Sequence, residues 1–248
     1  FDQRLSGVDT NRLSRQAFYD YRILRSSIQR EMFGFEQAEI YSLNPMTYVG
    51  ALDVNIYIKR DFAPLEDRLR SVIAILNQAP RVTSAARTNL DELLPRPQVE
   101  TAIEQANGTA DFLSKDLVAA LKGMNDASLM AEFNAANSRA ISEMRGYVAY
   151  LQQQKLPKAT DRYALGRERY QKLLEYGELV TLPPEQLLDI GMEELRRKQA
   201  VFAETARQID PSRRPIEVFQ SIQKDHPTEQ SLIPDTARDL DTIRQFVI

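Results

Sequence analysis

The sequence predicts an all-α protein, an irregular bundle of about eight to ten amphipathic helices, several of them long and antiparallel. Apolar residues recur every three or four positions along most of the chain, which is the spacing of one helix face. Prolines stand where such patterns begin, at Pro64, Pro97, Pro184 and Pro215, and proline is favoured in the first turn of a helix. No neighbouring segments alternate as a hairpin would, with an Asn-Gly or Asp-Gly turn between them.

Two long helices have the clearest apolar stripes. The first is expected to be capped by Asp9 or Thr10, and its stripe is Leu13, Ala17, Tyr21, Leu24, Ile28, Met32 and Phe35. The second is expected to be capped by Asp126 and to end before Pro157, and its stripe is Leu129, Phe133, Ala136, Ala140, Met144, Tyr147 and Leu151. The small residues Ala136 and Ala140 predict a neighbouring helix at close range.

Shorter helices are predicted between and after these two. The helix that starts at Pro97 is expected to end at Gly108, since glycine favours the residue after a helix. Later helices are predicted over residues 163–176, 184–209 and 228–246.

The chain is predicted to contain two helical regions. Residues 1–156 form the first region, and residues 157–248 form a second region that packs on it. The segment Leu156–Asp161 is the predicted hinge, because it is polar and contains Pro157. The two regions could equally belong to one continuous domain.

Composition excludes several classes of protein. The chain has no cysteine, so disulfides, thiolate metal sites and a cysteine nucleophile are ruled out. A net charge of −3 predicts no nucleic-acid partner. The longest apolar run, Val72–Leu76, is too short to span a membrane, which predicts a soluble protein. Because the sequence begins at Phe1, a signal peptide could have been removed, and export to the periplasm or as a lipoprotein is then expected.

Histidine, a common ligand of catalytic zinc, is scarce in this sequence. A catalytic zinc site needs three protein ligands, and the chain has one histidine, His226, which Pro227 follows. We therefore predict no catalytic residue and no metal ligand, and interpret His226 as a turn or capping residue. A site for magnesium or calcium built from carboxylates alone stays open, although no calcium-loop spacing is present. The basic residues Arg196–Lys198 follow Glu193 and Glu194 and predict a charged helix surface that pairs with itself.

A family resemblance rests on the last third of the chain. Its motifs, in order, are Leu165-Gly166 with Tyr170, Leu187 through Gly191 to Leu195, Phe219, Asp225 with Pro227, and Arg244 through Val247. Together they resemble the N-terminal half of a bacterial family, domain of unknown function 885. Members of that family look like all-helical zinc peptidases, whose His-Glu-x-x-His helix lies in the half that would follow Ile248.

The resemblance implies a non-catalytic half of a zinc-dependent, peptidase-like hydrolase that forms one wall of the substrate cleft. It implies zinc in the missing C-terminal half, and that half and a peptide-like substrate as partners. Tyr163, Gly166 and Tyr170 are the implied cleft residues; alternatively, both tyrosines pack in the core. A wall of this kind should also expose a large apolar patch. The competing hypothesis is a stand-alone helical module that binds a peptide or protein.

Overall fold

The computed structural model describes residues 2–247, and within that range the chain is helical without a β-strand. The all-α prediction is therefore confirmed. An isolated bridge joins Pro95 to Thr160. The chain divides into two compact units, Phe1–Thr181 and Leu182–Ile248. The predicted packing of residues 157–248 on residues 1–156 stays a prediction.

The helices of the first unit differ widely in length. In chain order they are α1 (Asp2–Ser6), α2 (Arg15–Glu36), α3 (Ile40–Leu43), α4 (Met46–Gly50), α5 (Asn55–Lys59), α6 (Leu65–Leu76), α7 (Ala79–Asn89), α8 (Arg96–Ser114), α9 (Asp116–Ala120), α10 (Ala127–Tyr150) and α11 (Arg167–Glu178). A 3-10 turn, Thr10–Arg12, precedes α2, and a π-helical turn, Leu151–Lys155, continues α10.

Helix α10 forms the centre of the first unit and packs against α6, α7 and α8. Asp126 caps it as predicted, its carboxylate accepting a hydrogen bond from the Leu129 N–H at 3.0 Å. All seven residues of the predicted stripe, from Leu129 to Leu151, are buried. Ala136 and Ala140 lie in the same core as the buried alanines of α8, the helix with which α10 packs, at Ala102, Ala106 and Ala110.

Helix α8 continues past its predicted end. Gly108 lies inside it, and a side chain at that position would meet open space. Ala106, Ala110 and Leu113 continue the buried face across the glycine. Burial of that face outweighs the cost of about 1 kcal/mol for a glycine within a helix.

Two polar side chains join α10 and its extension to earlier segments. The Tyr147 hydroxyl donates to the Pro45 carbonyl at 3.0 Å, and burial raises the pKa of that hydroxyl. In the π-helical turn, the Lys155 ammonium donates to the carbonyls of Leu90 and Asp91 at 3.2 and 2.6 Å. The Lys155 bonds give the Leu90 and Asp91 carbonyls a hydrogen-bond partner, and the Tyr147 bond adds a second donor to the Pro45 carbonyl.

Helices α2 and α11 pack against each other. The Phe33 ring lies 6.2 Å from that of Tyr176, and the Ser26 hydroxyl donates to the Tyr176 carbonyl. The predicted cap of α2 was wrong: Ser14 caps it, and Asp9 caps the preceding 3-10 turn. The predicted stripe was wrong at Leu24, Met32 and Phe35, which are exposed, because α11 covers the face that carries Ser26 and Phe33.

The second unit contains α12 (Pro184–Ile209), α13 (Pro215–Ile222) and α14 (Leu232–Val247). The predicted starts of α12 and α13 at proline are confirmed. The two helices pack together where the rings of Phe202 and Phe219 lie 5.9 Å apart. Ala206 and Val218 are buried beside this contact.

Candidate functional site

The three predicted cleft residues lie at the start of α11. Gly166 immediately precedes the helix with φ of 82°, a backbone conformation that L side chains rarely adopt, so glycine is needed there. Its carbonyl accepts a hydrogen bond from the Tyr170 N–H at 3.0 Å. Tyr163 is 64% exposed and Tyr170 is 42% exposed. The alternative in which both tyrosines pack in the core is therefore wrong.

A shallow apolar depression of about 530 Å³ brings two of these residues together. Gly166 and Tyr170 line it with Leu165 and Leu173, whereas Tyr163 is outside its lining. An exposed aromatic ring beside aliphatic side chains can hold an apolar group, with the tyrosine hydroxyl free to hydrogen-bond at the rim.

Helix α12 carries a second apolar surface, in the second unit. Every seventh residue along this surface is apolar, at Leu188, Leu195, Phe202 and Ile209. Two further apolar residues lie four positions after Leu188 and Phe202, at Met192 and Ala206. This is the spacing of a coiled-coil seam, which packs against another helix along its length. We call these six residues the α12 seam.

The α12 seam is covered at one place only within the described second unit. Near Phe202 and Ala206 it meets α13, but Leu188 is 63% exposed and Leu195 is 48% exposed. Exposed apolar side chains that repeat along one face of a helix are typical of a surface that another protein segment covers.

Helix α14 has no buried residue within its described range. Its apolar side chains Ile233, Leu240 and Ile243 are more than half exposed, as is Phe246. In proteins, most of the stability of a helix comes from packing of its apolar face rather than from helix propensity, so α14 is expected to depend on packing. The sequence predicted an exposed apolar patch, but its residues could not be named, because periodicity shows only that a face is apolar.

Charged residues on the remaining surface of α12 pair with one another. The Arg197 guanidinium donates to the Glu194 carboxylate at 2.6 and 2.7 Å, and the Lys198 ammonium lies 3.8 Å from it. The hydrogen bond from Arg197 lowers the pKa of the Glu194 carboxyl. The predicted self-paired surface is thereby confirmed, with Glu194 rather than Glu193 as the acceptor.

His226 is exposed in the irregular segment between α13 and α14, and its Nδ1 is 2.9 Å from the Pro227 carbonyl oxygen. Between residues 2 and 247, no three His, Asp or Glu side chains lie close enough to hold a metal ion together. The described side chains therefore include no cluster with the three ligands that a catalytic zinc needs. Over the same range, no helix combines the length and apolar character needed to cross a membrane.

These features define a class: an all-α lobe with an exposed apolar surface on its second unit. The chain belongs to a bacterial family of proteins of unknown function, DUF885, whose family model matches residues 1–248. The predicted family is thus confirmed.

One solved structure with the same fold is that of a candidate lipoprotein of unknown function from Shewanella oneidensis. It matches with a TM-score of 0.70 at 21% identity, over 99% of this chain and 47% of that chain. This chain therefore spans about half the length of its structural relative. None of the curated proteins compared with the chain matches it.

Proposed function

We propose that the chain is the non-catalytic N-terminal lobe of a zinc-dependent, peptidase-like hydrolase. In this proposal its second unit closes against the chain that follows Ile248, and the first unit contributes Tyr163, Gly166 and Tyr170 to one wall of the substrate cleft. The observation that carries the proposal is the exposure of apolar side chains in the second unit, on the α12 seam and on α14.

A physical argument connects that surface to a covering partner. Ordering a residue costs about 1–2 kcal/mol of backbone entropy, which burial of apolar side chains must offset. The described second unit buries only Ala206 and Val218 among its apolar residues. Its helices therefore need further apolar cover to be stable.

The covering partner that we propose is the protein's own C-terminal half. The solved relative from Shewanella oneidensis is about twice as long as this chain, since the match covers 47% of it. A covalently linked partner also needs no separate encounter, because the linker keeps its effective concentration high. That relative is described as a candidate lipoprotein, which favours an exported protein here too.

The catalytic zinc is proposed to lie in that C-terminal half. Bound zinc would supply a Lewis acid and an activated water. The residues of this chain would bind and orient the substrate: the apolar depression beside Tyr170 accepts a side chain of a peptide, and its walls exclude water around it.

A comparison of two proteins tests this proposal: the present chain, and the same chain extended by its natural sequence beyond Ile248. We expect the extended protein to bind about one zinc ion per molecule and to hydrolyse peptides, since a catalytic zinc is held by three ligands. The present chain should do neither, because it has a single histidine. Metal analysis and a peptide-cleavage assay measure both properties.

The result that would contradict the proposal is stoichiometric zinc or peptide turnover by the present chain alone. An extended protein without a His-Glu-x-x-His helix would also contradict it. The latter outcome would favour the stand-alone module that binds a peptide or protein.

A further inference from the structure

A second cavity, of about 490 Å³, lies among α1, α2 and Leu179, the residue that follows α11. One wall is a single face of α2, on which Tyr21, Arg22, Arg25 and Gln29 follow at helical spacing. Thr10, from the turn before α2, lies on another side. The volume is within the range of about 300–1,000 Å³ that is usual for small-ligand sites.

The charged residues that line this cavity are all positive. Arg22 and Arg25 line it, and no aspartate or glutamate does. Arg25 Nη1 donates to the Tyr21 hydroxyl oxygen at 2.8 Å, so the hydroxyl hydrogen is left to donate to a ligand. The sequence carries a signal for this positive charge, since residues 21–30 contain three arginines and no acidic residue. Arginine binds carboxylates well, because its planar N–H groups match the two oxygens.

Part of the same cavity is apolar. Val8, Phe18 and Leu179 line it beside the arginines. Leu179 has φ of 56°, in the left-handed region where glycine is the usual residue after a helix, yet the side chain is 42% exposed. A leucine that adopts this left-handed backbone conformation and is only partly buried is consistent with a role in forming the cavity wall. The ligand that matches both parts has an anionic group next to an apolar group.

We propose that this cavity binds the C-terminal carboxylate of a peptide whose last residue is apolar. Arg22 and Arg25 hold the carboxylate, the Tyr21 hydroxyl donates to it, and the last side chain lies against Phe18 and Leu179. The choice of a peptide over other apolar carboxylates rests on the proposed function.

Calorimetric binding to the full chain tests this proposal with N-acetyl-Ala-Ala-Leu as the probe. The peptide amide, which lacks the carboxylate, should bind at least about tenfold more weakly, because it loses the charged hydrogen bonds. The protein with both Arg22→Gln and Arg25→Gln should show a similar loss for the acid. Arg70→Gln, on the exposed surface of α6, removes a positive charge outside the cavity and should leave binding unchanged.

Equal binding of the acid and the amide would overturn the proposal, as would unchanged binding by the double variant with normal helical circular dichroism. 3-Phenylpropionate, an apolar carboxylate that is not a peptide, should bind more weakly than the peptide acid; equally tight binding would overturn the peptide assignment. None of these measurements involves zinc or turnover, so their failure is distinct from failure of the proposed hydrolase function.

Discussion

Replacing Phe133 by alanine is expected to lower the free energy of unfolding of the first unit by about 4 kcal/mol. The Phe133 ring is fully buried in α10, the helix that packs against α6, α7 and α8. Without the ring, folding no longer removes this large apolar group from water, and a cavity is left in the core. Urea denaturation followed by circular dichroism measures the change.

Phe62→Ala is the matched control for this experiment. The Phe62 ring is 57% exposed and contacts Tyr57 at a centroid distance of 5.8 Å. Because little of the ring leaves water on folding, we expect a loss below about 1 kcal/mol. Similar losses for the two variants would contradict the placement of α10 at the centre of the core.

Leu195→Glu is expected to lower peptide hydrolysis by the extended protein about a hundredfold while leaving the isolated chain folded. In the isolated chain Leu195 is 48% exposed, so a glutamate there remains largely in water. In the extended protein the α12 seam is covered according to our proposal, and a carboxylate would be buried without a partner. Burial of the unpaired carboxylate costs about 3 kcal/mol, which lowers the equilibrium constant for closure of the two halves by about a hundredfold.

The measurement is the hydrolysis rate of the extended protein, together with the thermal unfolding of the isolated chain. Leu93→Glu is the control, since Leu93 is 57% exposed but belongs to the first unit. This control should retain hydrolysis. Hydrolysis at the unmodified rate by Leu195→Glu would show that the α12 seam is not covered.

The sequence predicted the core helix α10 well, because local signals and tertiary packing agree there. Asp126 is a strong cap, and every residue of the predicted stripe is buried. Prediction was poorer where packing overrides local preference. Gly108 predicted the end of a helix, but α8 continues through it because Ala110 and Leu113 are buried beyond it.

Periodicity cannot show which apolar face a partner covers. The stripes of α2 and α10 look equally helical in the sequence, yet α2 buries Phe33 and leaves Phe35 exposed. The position of α11, which is distant in sequence, decides between these faces. The cavity lined by Arg22 and Arg25 could not be predicted from the sequence for a related reason. Arg22 and Leu179 line the same cavity only when α2 and α11 pack together.

Hydrogen exchange of α12 and α14 tests the central claim most directly, when the present chain is compared with the protein extended beyond Ile248. Local stability follows local burial, and within its described residues α14 buries no side chain. We predict fast exchange of its backbone amides in the present chain, and exchange slower by about a hundredfold or more in the extended protein. Equal protection of α12 and α14 in the two proteins would contradict the claim that the following half covers this surface.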